Sequence, residues 1–201
     1  MKNNLKTLLF AALLALSATG CSGDDEQKLP YYAPLIVSED FEVGADESLL
    51  VTEGWTNYAV TGTAKWKIQR YSDNGYAEFN PYQSGNAVNV GLLISPAVTL
   101  EAGNSNKLLF QSAQSYVTSA ANKLEVLIST DFDGTNVAAA TWTPLQATLP
   151  AIGSVNFAFV KSGLIDLSAY SGTVHIGFKV TGSGTDAALD GAYQIDNVII
   201  Y

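Results

Sequence analysis

The residues best equipped for chemistry in this chain stand close together between positions 71 and 83. Tyr71-Ser72-Asp73-Asn74-Gly75-Tyr76 and then Asn80-Pro81-Tyr82-Gln83 bring flat rings, amides and an acid onto a short stretch. Sugar binding uses such a set, because the C–H faces of a pyranose pack on aromatic rings while polar neighbours fix its hydroxyls. The stretch reads as non-regular backbone, and loops carry binding disproportionately. Tyr71, Asp73, Asn74, Tyr76, Tyr82 and Gln83 are therefore the ligand-binding candidates. The plain alternative is a solvated loop whose tyrosines lie along an edge of the domain. Trp55, Tyr58 and Tyr116 offer further rings, whereas Trp66 alternates with Lys65 and Lys67 and belongs to the core.

Catalytic groups are sparse. His175 is the sole histidine, and in Thr173-Val174-His175-Ile176-Gly177 it sits inside a strand-like segment where a satisfied structural role is expected. No nucleophile-elbow motif accompanies it. One histidine and one cysteine also argue against a His/Cys metal centre. Glycoside hydrolysis would need two carboxylates about 5 to 10 Å apart across one cleft, and Glu78 with Glu125 is the only pair to nominate. Asp131-Phe132-Asp133-Gly134 resembles the start of a calcium loop, but position 142, where the closing glutamate would stand, is Trp142. It reads as a turn.

The lone cysteine has a different chemistry. Lys2 and Lys6 form a basic start, Leu5 to Leu16 an apolar run, and small residues lead to Cys21. The run is shorter than the roughly 20 residues that a spanning helix needs, so residues 1–20 read as a cleaved signal and Cys21 as a lipidation site. The alternative is an ordinary secretory signal beside an incidental cysteine, since Ala18 stands where the usual lipobox has Leu. Residues 21–34, with an acidic start and Pro30 and Pro34, form a tether. The acidic residues after Cys21 resemble the surface-export tag of Bacteroidetes lipoproteins, which implies an outer-membrane lipoprotein facing the medium.

The net charge of −9 over 201 residues becomes −11 once residues 1–20, which hold two lysines and no acid, are removed. Such a chain is repelled by nucleic acid and by anionic lipid, so membrane association is expected through the lipid anchor only.

What must position the candidates is a set of strands. From residue 35 to 201 short apolar segments are punctuated by Gly, Asn, Asp and Pro, the cadence of an all-β sandwich. Strands are expected over 64–69, 92–94, 98–100, 108–112, 124–129, 157–162, 174–180 and 194–201, with 124–129 covered on both sides. Two antiparallel sheets packed face to face are the simplest way to bury two apolar faces.

Phe41-Glu42, Gly54-Trp55, Leu93-Ile94-Ser95-Pro96-Ala97, Ile128-Ser129-Thr130-Asp131, Ile165-Asp166-Leu167-Ser168, Ile176-Gly177-Phe178 and Ile195-Asp196-Asn197-Val198 occur in an order that resembles the choice-of-anchor J domain. That family is similar to cleaved-adhesin and MAM domains, and the resemblance implies a galactose-binding-like jelly-roll β-sandwich. It also implies a structural Ca²⁺ joining the first and last strands, with Glu42 and Asp196 as ligands and Asp40 as a third. The chemistry suits an ion that takes 6 to 8 hard oxygens; solvated or turn-capping carboxylates are the alternative. The expected function is non-catalytic binding of an extracellular ligand, a glycan first. A protein ligand, for an adhesin or a subunit of a surface complex, comes second, and a glycoside hydrolase third.

Overall fold

The computed structural model describes residues 34–201. The signal, Cys21 and the tether up to residue 33 lie outside the described residues. In chain order the strands are β1 (Val37–Glu39), β2 (Thr56–Thr61), β3 (Lys67–Tyr71), β4 (Asn74–Phe79) and β5 (Asn89–Ile94). There follow β6 (Val98–Leu100), β7 (Lys107–Ser115), β8 (Lys123–Ser129) and β9 (Thr143–Leu145). The last are β10 (Val160–Lys161), β11 (Ile165–Asp166), β12 (Gly172–Gly182) and β13 (Ala192–Ile200). No helix occurs among the described residues.

Two antiparallel sheets form a jelly-roll β-sandwich. The first runs β10-β7-β13-β4-β3, with β1 also pairing β13 and β11 pairing β7; the second runs β2-β5-β12-β8-β9, with β6 pairing β12. Alternate residues of each sheet meet in one core: Phe79, Phe110, Ile195 and Ile200 from the first, Leu93, Val126, Ile176 and Phe178 from the second. Aromatic rings bridge the layers. Phe110 meets Phe178 edge-on at 5.1 Å, and Trp55 stacks on Phe178 while receiving Phe41 against its edge. Offset and edge-on pairs of this kind add to the area they bury. Trp66 is fully buried against Phe79, as its alternation with lysines predicts.

The second sheet is covered on its outer side too. Phe132, Val137 and Trp142 from the segment after β8 pack on Leu92, Ile94 and Leu127, which is why β8 reads as a run with little alternation. Asp131 and Asp133 hold that segment: Asp131 accepts from Ser129 Oγ and the Thr141 N–H, and Asp133 from the N–H groups of Thr135 and Asn136. The turn reading of Asp131-Phe132-Asp133-Gly134 fits this arrangement.

Several boundaries differ from the pattern in the sequence. The segment 64–69 enters the sheet only at Lys67, because Asn57 ties down the approach: its Nδ2 donates to the Trp66 carbonyl and its Oδ1 accepts the Trp66 N–H. The segment 157–162 pairs over Val160–Lys161 alone, since Phe157 takes a left-handed backbone with φ 61°. The larger correction concerns 71–83, most of which is strand. Ser72 and Asp73, with φ 48° and 68°, form the tight turn of a hairpin in which Tyr71 faces Asn74, and β4 follows. Two successive positive φ values match the right-handed strand twist; the Asn74-Gly75 pair, a turn signal by composition, instead starts the strand.

Gly91 shows how tightly the layers fit. A Cβ there would overlap the Phe79 ring from the opposite sheet. Gly91→Ala is expected to lower stability by about 1–3 kcal/mol through overpacking, with Phe79→Leu restoring part of the loss in the double variant. Thermal or urea melts of the single and double variants read this coupling directly.

Candidate functional site

The outward face of the first sheet is polar where its inward face is apolar. Cross-strand pairing sets Gln69 beside Tyr76 and Lys67 beside Glu78, Glu78 beside Gln194, and Asp196 beside Gln111 and Ala192 beside Ser115. Period-two alternation then sends Ile68, Ala77 and Ile195 inward and the polar set outward. The result is the floor of a groove of about 1410 Å³ on this sheet. With adjacent strands about 4.8 Å apart, the five strands from β3 to β10 span roughly 19 Å.

Aromatic rings stand around that floor. Tyr71 and Tyr82 line it near the β3–β4 side, Tyr116, Phe157 and Phe159 near β7 and β10, and Tyr76 packs edge-on against Phe159 at 5.7 Å. Of the six residues nominated in the sequence, Tyr71, Asn74, Tyr76 and Tyr82 line the groove. Asp73 and Gln83 do not. Asp73 makes the hairpin turn, and Gln83 donates from Nε2 to the Tyr82 hydroxyl at 2.9 Å. The sequence reading missed Phe157, Phe159, Asn156, Gln111 and Ser115 as site residues, and left Tyr116 among unplaced rings. The alternation of Gln111, Ala113 and Ser115 along β7 was the signal available for the floor. Nothing local marks Phe157 or Asn156, which reach the groove only through the fold.

The floor carries two buried carboxylates. Burial pushes Glu78 above its ordinary value of 4.5, partly countered by hydrogen bonds from Gln194, whose Nε2 donates at 2.7 Å, and Asn80. Burial also raises Asp196, with bonds from Asn74 and the Asn197 N–H pulling the other way and repulsion from Glu42 and Asp40 adding to the rise. A β-bulge follows Asp196, with Asn197 at φ 51°. Bulges commonly re-aim a side chain beside a site.

Backbone strain gathers at the same place. Eight described non-glycine residues have left-handed backbone, and seven of them line the groove or adjoin a residue that does: Glu47, Ser72, Asp73, Gln83, Tyr116, Phe157 and Asn197. Outside the Ser72-Asp73 hairpin, where this backbone is the favoured one, such conformations cost about 1–3 kcal/mol each and cluster at functional sites. The eighth, Phe41, is wholly buried in the core.

Other nominated groups fall elsewhere. Glu125 lies on β8 in the second sheet, ion-paired to Lys179 at 2.9 Å and Lys123 at 3.2 Å, while Glu78 faces the groove of the first. The pair shares no cleft, which removes the glycosidase arrangement nominated for it. His175 is buried, its Nδ1 2.9 Å from the Ser95 carbonyl and its ring edge-on to Phe132. It is a satisfied core residue.

Asp40, Glu42 and Asp196 belong to the β1–β13 end of the sheet, and as hard oxygen donors they suit calcium. In this structure Glu42 and Asp40 are engaged by protein partners. Glu42 Oε1 accepts the Gly75 N–H at 2.7 Å, Oε2 pairs with Arg70 at 2.8 Å, and the Glu42 carbonyl accepts from Arg70 as well. Asp40 accepts the Glu42 N–H. Among the described residues no three acidic, histidine or cysteine side chains gather to hold a metal. The guanidinium of Arg70 supplies positive charge at Glu42.

The family model described as Domain of unknown function (DUF5017) matches residues 35–198. Among curated proteins no sequence matches the chain. Solved structures share the fold. The K1 cleaved adhesin domain of Lys-gingipain from Porphyromonas gingivalis is 22% identical, with 82% of this chain and 96% of that one covered at a TM-score of 0.52. The K3 cleaved adhesin domain of the same protein is 18% identical, with 83% and 99% covered and a TM-score of 0.53. The K2 domain is 14% identical, with 82% and 97% covered and a TM-score of 0.53.

Two outcomes follow from these carboxylates. Because the folded state holds the Glu78 proton more tightly than the unfolded chain, its contribution to stability is fully present below pH 4.5 and lost as pH rises through the raised folded value. Glu78→Gln should remove that loss, so that the variant gains on the wild type as melts move from about pH 4 to about pH 8. Arg70→Met should lower the Tm, while the wild-type Tm stays the same in calcium and in chelator. A rise of several degrees in calcium would instead assign Asp40, Glu42 and Asp196 to the ion.

Proposed function

We propose that this chain, which belongs to the DUF5017 family of domains of unknown function, binds an extracellular glycan without catalysis through the groove on its first sheet. The observation that carries this is the composition of that groove: a floor of amides, hydroxyls and carboxylates under exposed aromatic rings. Rings take the C–H faces of sugars and the polar floor takes their hydroxyls. Glu47, Glu78, Asp190 and Asp196 line it against Arg70, with Lys67 beside Glu78. Acidic lining on an acidic protein disfavours uronates and sulfated chains, so the ligand class is an uncharged polysaccharide.

Protein binding is the second reading. It would call for a contiguous apolar patch; the groove floor is polar, although Val155 is exposed beside its Asn156–Phe157 wall and Val43 and Val51 are exposed elsewhere in the chain. Kinship with choice-of-anchor J and MAM domains belongs to this proposal through the shared sandwich with the cleaved adhesin domains. So does the setting: signal cleavage, lipid on Cys21 and display at the outer-membrane surface would place the groove where polysaccharide is met. The reading requires no metal.

A glycan array probed with residues 34–201 tests the ligand class. Binding to neutral oligosaccharides, weakened roughly tenfold by Tyr82→Ala, is the expected result. A folded protein that binds no glycan and captures a protein ligand through the same face would favour the second reading.

A further inference from the structure

The two most costly backbone conformations at the groove belong to Tyr116 and Phe157. Both are bulky residues held in the left-handed region, at φ 60° and 61°, where an aromatic side chain is a steric outlier. Phe41 shares that strain but is wholly buried, so core packing offsets it. Tyr116 and Phe157 lack that compensation, being 67% and 50% exposed. Their rings stand edge to face at 6.3 Å on the groove wall.

A set of hydrogen bonds enforces the strained pair. The Tyr116 N–H donates to Asn156 Oδ1 at 2.9 Å, and the Phe157 N–H donates to the Gln114 carbonyl at 2.8 Å. The buried side chain of Gln114 ties both segments, donating from Nε2 to the Ser154 carbonyl at 2.6 Å and accepting the Val117 N–H at Oε1. The Gly153 N–H closes the set on the Val117 carbonyl. Gln114 is buried, and leaving its amide unpaired makes an alternative loop path costly, whereas the Asn156 bond lies at the surface. The backbone that carries both rings is thus fixed before any ligand arrives, which limits the ordering cost of binding.

We infer that Tyr116 and Phe157 form a preorganised platform in which one ring stacks on the apolar face of a sugar ring in an uncharged polysaccharide and the other, nearly perpendicular to it, closes against that sugar's edge. The inference rests on the glycan reading above and adds the residues that supply affinity. Polar lining at Asn156 and Ser115 stands beside the rings to receive the hydroxyl edge of the same sugar. Strain spent on presenting exposed rings has a measurable signature, because glycine accepts the left-handed region without steric conflict. Removing the rings should weaken binding and leave the fold as stable or more stable.

The test compares wild type with Tyr116→Gly, Phe157→Gly and the double variant, using xylan and mannan as neutral probes and polygalacturonate as the acidic one. Affinity for the neutral chain that the wild type binds should fall roughly tenfold for each ring removed, while Tm holds or rises. Tyr116→Asn, which also tolerates the left-handed backbone, repeats the comparison without adding chain flexibility. Unchanged affinity in the double variant, with wild-type binding intact, overturns the platform and leaves the glycan reading standing. A Tm that falls in step with affinity also overturns it, since the rings would then be structural. Wild-type protein that binds none of the neutral chains, or binds polygalacturonate alone, overturns the glycan reading and the platform with it.

Discussion

The register of β13 is the constraint on which the rest depends. This strand pairs with β7 on one side, β4 on the other and β1 beyond the bulge. Because side chains alternate across a sheet, a slip of one residue would send Gln194 and Asp196 into the core and Ile195 out to solvent. Both polar residues are already buried, but among hydrogen-bond partners; the penalty for moving them among Phe79, Phe110 and Phe178, away from those partners, is what holds the register. One strand therefore fixes both the core of the sandwich and the polar floor above it.

The two sheets carry unequal duties. The second sheet is apolar on both faces, its outer side sealed by Phe132, Val137 and Trp142, and it acts as a rigid support. The first sheet gives its apolar face to the core. Its other face carries the deep floor of Tyr76, Glu78, Gln111 and Ser115, with Phe159 packed on Tyr76, and its edges are drawn up by connections that hold Tyr71, Tyr82, Tyr116 and Phe157 around that floor. Strained backbone is tolerated in those connections because buried Gln114 bonds the Ser154 carbonyl and the Val117 N–H, which leaves its own amide satisfied only on this path.

Charge is balanced locally in an acidic protein. Lys179 and Lys123 answer Glu125 on the second sheet, Lys107 answers Asp166 at 2.8 Å, and Arg70 answers Glu42 beside the groove. Glu78 and Asp196 receive amide donors rather than cations, and burial holds both carboxyls high. The groove floor is therefore rich in hydrogen-bonding groups and poor in positive charge, a combination suited to hydroxyls more than to anions.

The sequence by itself determined the fold class and its main strands. Alternation, turn residues and apolar runs are local, and they locate β5, β8, β12 and β13, the core placement of Trp66 and the structural role of His175. Four groove residues, Tyr71, Asn74, Tyr76 and Tyr82, were legible for the same reason, since they stand within a dozen positions of one another. What only the tertiary structure decided is non-local. Asn74-Gly75 looks like a turn until pairing with Tyr71 and Arg70 of β3 makes it strand. Arg70 reaches Glu42 across 28 residues. Tyr116 and Phe157 become neighbours through hydrogen bonds spanning 40 positions in the chain. Glu78 and Glu125, plausible partners by type, are parted because their strands enter different sheets. Local pattern fixes which residues leave a strand on the same side, whereas the pairing of distant strands fixes which of them share a groove.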